Sequence, residues 1–336
     1  MSETQLKTGY PPFIHANVSV EKLMYYVAFF LLLPCIGAIY FFGMKALIII
    51  ISSVVSAIVF DLLMKYIRKK PLSLDGSEIV TGILLALILP PEIPFYIPIT
   101  GSAFGIIIVK HVFGGLGNNV FNPALAARAF IGASWPLALG AYSEPAKFLS
   151  DKWLSFNLDN SLITSATPLA RDSINLLTSR WSDLINPLIG NIPGSIGETS
   201  AVLLIIAGVI MLLLKIIDWR ITLSYIGIVL IGGGIYGAYL GFNVIYFGLY
   251  SILTGGLLIG AIFMATDYVT SPSTKKGRII FGIGCGALTL IFRIFSQMPE
   301  GVMYSILLMN AITPLIDRYT FPKPFGWKKP NKIKQD

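Results

Sequence analysis

The chain has 336 residues, 55% of them hydrophobic and only 12% charged, with a mean hydropathy of +0.76. Soluble domains carry about a quarter charged residues, so this composition excludes a disordered chain, a disulfide-stapled secreted domain and an ordinary soluble enzyme. The formal charge of +8 would suit nucleic acid in a soluble protein. In a membrane protein such an excess marks cytoplasmic loops, and no nucleic-acid partner is expected.

A helix needs about 20 mostly apolar residues to cross a bilayer. Runs of that kind are predicted at 23–42, 44–64, 94–110, 200–217, 221–241, 245–265 and 279–297, with shorter or interrupted ones at 78–90, 120–142 and 301–317. The first 22 residues lack the charged, apolar and small order of a cleavable signal, so the first run is expected to remain as a span. The expected fold is an all-α polytopic membrane protein with about ten transmembrane helices, some of them short or broken.

Charge placement sets the orientation. With ten spans and a cytoplasmic N-terminus, the inside segments hold Lys7, Lys22, Lys65, Arg68, Lys69, Lys70, Lys110, Lys215, Arg220, Lys275, Lys276, Arg278 and six more basic residues from Arg318 to Lys334, eighteen in all. The outside segments hold five: Lys45, Lys147, Lys152, Arg171 and Arg180. This inside bias predicts both termini in the cytoplasm. Arg128 and Arg293 remain near membrane depth.

Ten spans divide into a first repeat of five (1–142), an outside loop (143–199), a second repeat of five (200–317) and a basic cytoplasmic tail (318–336). An odd number per half makes the repeats inverted. Weak likeness between Ile79–Ala86 and Ile252–Ile259 agrees with this, and interrupted segments at matching places point to a central binding site. Three glycine pairs, Gly237/Gly241, Gly256/Gly260 and Gly282/Gly286, have the spacing of close helix packing. The glycines from Gly282 to Gly286 lie inside an apolar span with no preceding strand, which argues against a dinucleotide loop.

Several polar residues fall where a bilayer makes them costly. From Phe113 to Ala124 the chain is too glycine-rich for a helix and ends in Asn122-Pro123, an N-cap followed by the first helical position. The helix it opens carries Arg128, which either snorkels or faces an anionic ligand inside the bundle. Glu78 starts an apolar stretch of only about eleven residues that ends at Pro90-Pro91, the pattern of a half-helix. Asp267 either caps a turn or lines an ion path, and Glu78 is the second ion-path candidate. Neither Cys35 and Cys285 nor His15 and His111 have metal-ligand spacing, so surface or capping roles are expected for the histidines.

The 143–199 loop is long enough to carry function. Ile174, Leu177, Trp181, Leu184 and Leu188 recur at helical spacing, predicting an amphipathic surface helix. Ser195-Ile196-Gly197-Glu198 matches a capping box opening the sixth span. Within Thr164–Ala170, Ser165 and Ala166 leave the Thr167 hydroxyl open, and Pro168 biases Thr167 toward an extended conformation. Read alone, this stretch fits a polar turn or a modification acceptor.

Read together, the segments Asp75–Gly82, Phe113–Ala124 with Arg128, Thr164–Ala170, Gly194–Ser200, Phe263–Pro272 and Glu300–Asn310 resemble, in order and over nearly the whole chain, the D subunit of the Rnf electron-transport complex. They also resemble the related B subunit of the sodium-pumping NADH:quinone reductase. The length suits the Rnf protein better.

The resemblance implies FMN held on Thr167 by a phosphoester, in a motif that includes Ser165 and Ala166. Ser161 stands where that motif often has an acidic residue. It also implies a second, non-covalent flavin, riboflavin, whose ligands the sequence does not fix. Arg128, Arg171 and Asn122 are the candidates near flavin or phosphate charge. The implied protein is a multi-pass component of a ferredoxin:NAD oxidoreductase in a prokaryotic cytoplasmic membrane, with its flavin loop outside. It would relay electrons and couple them to Na+ or H+ movement. Implied partners are a second covalent-FMN subunit, iron–sulfur subunits and a flavin transferase. Rival readings are a small-solute channel or transporter of inverted-repeat fold and a scaffold protein of the complex without redox sites.

Overall fold

The computed structural model describes residues 19–146, 148–154, 169, 181–198, 200–296 and 301–322, and among them helices are the only regular elements. Helix α1 (Val20–Phe42) starts at Ser19, whose side chain accepts from the Lys22 N–H. It turns at Gly43 into α2 (Met44–Ile67). The short helices α3 (Ser77–Leu87), α4 (Tyr96–Val112, of π type from Phe104) and α5 (Pro123–Ser134) complete the first half. The second half holds α6 (Ala201–Leu213), α7 (Trp219–Tyr239), α8 (Val244–Leu253), α9 (Leu257–Met264), α10 (Lys275–Phe295) and α11 (Gly301–Thr320).

Four of these helices, α1, α2, α7 and α10, are long and apolar enough to cross a bilayer alone, and α8 with α9 makes a fifth, bent by 69°. The sequence therefore overstates the continuous spans. The predicted 245–265 run breaks at 254–256, where Gly255 and Gly256 have φ of 70° and 65°, a left-handed backbone that a β-branched residue resists. The predicted 200–217 run stops as a helix at Leu213. The segment read as short at 301–317 forms a 20-residue helix despite Pro314.

In the first half α2 packs on α3 and α4 and α1 on α3; in the second α7 packs on α8 and α10, and α10 on α11. Contacts of α1 with α6 and of α5 with α11 join the halves. Gly282 and Gly286 bring α10 onto the α7 backbone, where an added Cβ would stand 2.7 Å from the Ile221 carbonyl and 3.0 Å from the Tyr225 carbonyl. In the other two pairs one member packs closely, Gly237 against Phe247 and Gly260 against Val302, while Gly241 turns the chain in open space and Gly256 sits at the break. At the α7–α10–α11 junction the buried Tyr225 hydroxyl meets Thr289 Oγ1 (2.6 Å) and Ser305 Oγ (3.1 Å).

The two octapeptides offered as a repeat differ in local structure. Ile79–Ala86 lies wholly in α3, whereas Ile252–Ile259 straddles the α8–α9 break. The predicted capping box is also corrected. Ser200, not Ser195, caps α6 by accepting from the Leu203 N–H at 3.4 Å. Ser195 Oγ has no partner among the described residues. Of the expected amphipathic helix, Ile174, Leu177 and Arg180 lie outside the described residues. The remainder is a 3-10 turn, Trp181–Leu184, followed by the helix Ile185–Ile189, with Leu184 buried and Trp181 exposed.

Candidate functional site

At the end where α2 finishes, α3 begins and α4 finishes, a fully buried carboxylate collects three basic groups. Asp61, on the last turns of α2, takes Lys65 Nζ at 2.7 Å on one oxygen. On the other it takes Lys110 Nζ at 2.8 Å and His111 Nε2 at 2.7 Å. Lys110, 2% exposed, also donates to Ser77 Oγ at 2.7 Å and lies 3.7 Å from Asp75 and 4.0 Å from Glu78. Asp75 accepts the Ser77 hydroxyl and its N–H (3.1 Å), and Glu78 accepts the Gly76 N–H at 3.1 Å. Oxygens of Asp61, Asp75 and Glu78 lie within 4.8 Å of one another, a spacing that suits one cation. Here the ammonium groups of Lys65 and Lys110 supply that countercharge.

Two sequence expectations change at this network. Lys65 and Lys110, counted from the sequence among the basic residues of inside segments, are both buried and ion-paired to Asp61. His111, expected in a surface or capping role, is 3% exposed and faces Asp61; His15 lies outside the described residues. The sequence hides this network because Lys110 and Asp61 stand 49 positions apart in the chain. One signal is present: Asp61 is the single acidic residue in the 24-residue α2, and an ionisable group inside an apolar helix marks function.

Next to the network lies a cavity of about 50 Å³ whose wall includes Ser77, Lys110, Asn122, Thr266 and Asp267. That volume has room for a few waters. Asn122 caps α5 as expected, accepting from Ala124 and Leu125 (3.0 and 3.3 Å), while its amide donates to the Met264 carbonyl at 3.4 Å. Asp267 caps a turn through the Val269 N–H (3.3 Å) and the Thr270 hydroxyl (3.2 Å), and its place in the cavity wall leaves an ion-path role open.

Arg128, on the second turn of α5, is 3% exposed and lines a second, 30 Å³ cavity with Glu198, Gly255, Gly256 and Val302. The Glu198 carboxylate is wedged between glycines; a Cβ at Gly256 would stand 2.8 Å from its Oε1 and one at Gly194 2.9 Å from its Oε2. Arg293 stands beside Gly255, on the rim of the same cavity. Arg293 reaches from α10 into the α8–α9 break, donating to the carbonyls of Ser251 (2.6 Å), Thr254 (3.0 Å) and Gly255 (3.2 Å). These are carbonyls that a broken helix leaves without partners. Glu198 escapes the sequence reading because the capping-box pattern absorbs it.

Thr167, Ser165, Ala166 and Arg171 lie outside the described residues. Leu169, which follows Thr167 by two positions, is described. Its side chain stands beside Gly255, as does the guanidinium of Arg293. Arg293 Nε is buried and has no hydrogen-bond partner among the described residues. The structure thus brings Asn122 and Asp267 to one cavity and Arg128 to another, while Glu78 belongs to the charge network around Lys110.

A sequence model of the NQR2, RnfD, RnfE family matches residues 7–326. The chain is 41% identical to the D subunit of the Na(+)-translocating ferredoxin:NAD(+) oxidoreductase complex of Acetobacterium woodii, over 99% of both chains. It is 39% identical to the D subunit of the proton-translocating ferredoxin:NAD(+) oxidoreductase complex of Clostridium ljungdahlii, over 98% of this chain and all of that one. The D subunit of an ion-translocating oxidoreductase complex of Methanosarcina acetivorans is 35% identical, over 96% of this chain and 98% of that one. The chain belongs to the NQR2, RnfD, RnfE family.

Proposed function

We propose that this protein is the D subunit of an ion-translocating ferredoxin:NAD oxidoreductase complex in a prokaryotic cytoplasmic membrane. In this reading it carries FMN on Thr167, relays electrons between neighbouring redox subunits and couples that flow to Na+ or H+ movement. The observation that carries it is the match to such proteins over 98–99% of the chain. The buried charges around Asp61 and at the α8–α9 break support it, because charge inside a membrane protein is costly and is kept for function.

The described surroundings fit an anionic group on Thr167. The motif leads into Leu169, beside Arg293, whose Nε is a buried donor without a partner among the described residues. When bound, FMN supplies one- and two-electron redox chemistry. This chain's own contribution is the threonine oxygen that anchors it and the arginine charge beside it. Arg128, Arg171 and Asn122 remain secondary candidates, and Ser165 and Ala166 belong to the acceptor motif. Riboflavin, a second covalent-FMN subunit, iron–sulfur subunits and a maturing flavin transferase complete this reading. Asp267 lines the cavity of about 50 Å³, which has room for a few waters, and Glu78 lies 4.0 Å from Lys110 of its wall.

The contacts between segment ends support alternating crossings, and the basic-residue bias supports both ends of the chain on the cytoplasmic side. Asp61 near the end of α2 meets Lys110 of α4, Lys45 at the start of α2 pairs with Glu92 after α3, and Thr274 before α10 meets Thr320 at the end of α11. These pairings fit a chain direction that alternates through α11, and in this reading the inside bias of the basic residues puts the 143–199 loop outside. A cysteine at Asn160 is expected to label from the outer face only; Cys35 and Cys285 are buried and do not compete. Labelling from the cytoplasm alone contradicts the topology.

The function itself is tested in membrane vesicles holding the whole complex. Thr167→Ala is expected to reduce ferredoxin-dependent NAD reduction and the linked ion uptake to background. Wild-type rates of both in that variant refute the electron-relay role.

A further inference from the structure

A third cavity, of about 350 Å³, lies where α6 ends and α7 and α10 begin. It is several-fold larger than the other two cavities and differs from them in charge. Its wall carries Lys215, Arg220 and Arg278 against a single acid, Asp218. Asp218 accepts from the Arg220 N–H (2.9 Å), Arg220 Nη1 (3.1 Å) and Arg278 Nη1 (2.5 Å). Partial burial alone would raise the Asp218 pKa, but these donors hold its carboxyl below the usual carboxylate range. Asp218 thus stays ionised, and the wall carries a net charge of about +2.

Lys215 is exposed, makes no ion pair among the described residues and is held in a left-handed backbone (φ 57°) at the rim. The rest of the lining is mixed, with Ile216, Ile217 and Ile221, each less than 10% exposed, beside Thr266, Tyr268 and Ser271. Next to the mouth, Leu213 (75% exposed), Leu214 (60%) and Trp219 (52%) present uncovered apolar surface. The Arg220 guanidinium lies 4.9 Å from the Trp219 ring centre. Aromatic and basic residues at helix ends are the pattern of a membrane–water interface.

We propose that this pocket binds the phosphate of an anionic phospholipid, with the acyl chains lying along Leu213, Leu214 and Trp219. Phosphate chemistry follows from the charge, because a neutral ligand would leave the excess cations unmatched. The lipid source follows from the apolar surface continuous with the mouth, which a soluble phosphate would leave bare. Basic pockets between membrane helices bind anionic headgroups in this manner.

The test uses the purified complex in detergent. Phospholipid retained per complex is measured by mass spectrometry, and rebinding is measured in nanodiscs of phosphatidylglycerol and of phosphatidylcholine. Lys215→Gln with Arg220→Gln leaves the Arg278–Asp218 pair in place. It is expected to weaken phosphatidylglycerol binding about 25-fold, about five-fold for each charge, while Lys215→Arg retains binding. Unchanged retention in the double variant overturns the site. Equal binding of phosphatidylcholine, or full displacement of lipid by millimolar inorganic phosphate, overturns the lipid assignment. Because the pocket is remote from the Thr167 motif in sequence, covalent flavin content is expected to stay unchanged, which separates this test from that of the redox reading.

Discussion

Replacing Asp61 with alanine is expected to cost about 3–5 kcal/mol of stability, the usual result of removing one partner from a buried ion pair. The size follows from what is left behind. Lys65, Lys110 and His111 all point at this one carboxylate, at 2.7–2.8 Å. Lys110 is 2% exposed and would keep only Ser77 at hydrogen-bond distance, with Asp75 and Glu78 further away.

Asp61→Asn retains the volume and one acceptor and is expected to lose less. Asp61→Ala combined with Lys110→Met removes both buried charges and is expected to recover much of the loss, a coupling that a double-mutant cycle reads directly. The measurement is the thermal midpoint of the complex in detergent. An Asp61→Ala variant as stable as wild type would mean that the network carries no structural load.

The second large effect is expected at Arg293. Its guanidinium meets three carbonyls of the broken helix, at Ser251, Thr254 and Gly255. Charged hydrogen bonds of this kind contribute about 1.5–3 kcal/mol each, not additively. Arg293→Met leaves those carbonyls without a donor at membrane depth, where no water replaces it, and is expected to destabilise the chain by about 3–5 kcal/mol. Arg293→Lys keeps the charge but not the planar fork, so an intermediate midpoint is expected. Equal midpoints for Arg293→Met and wild type would contradict the assignment of this side chain as the pin of the break.

Signals in the sequence are legible where the physics is local. Asn122-Pro123 predicts an N-cap and first turn, and both side-chain bonds are present. The half-helix after Glu78 appears as the eleven residues of α3. The break at Gly255–Gly256 stays hidden, because the apolar run continues through it and only the backbone angles reveal it.

The charge network escapes the sequence for a different reason. Lys65 and Lys110 count as topology labels by position, yet a charge close to a helix end serves equally as a buried partner. Asp61 and Lys65, four positions apart on one helix, are the legible part. Lys110 and His111 arrive only through tertiary packing of α4 on α2. Glu198 resembles a cap because its motif and the Ser200 cap lie within two residues of each other. The proposal of flavin on Thr167 comes from the resemblance alone, and Thr167 lies outside the described residues.

The most direct test of the redox role is denaturing electrophoresis under ultraviolet light of wild type and Thr167→Ala, each produced together with the flavin transferase. A fluorescent wild-type band at the 36.7 kDa of this chain and a dark Thr167→Ala band are expected. A dark wild-type band, or a Thr167→Ala band that still fluoresces, would contradict flavin attachment at this residue.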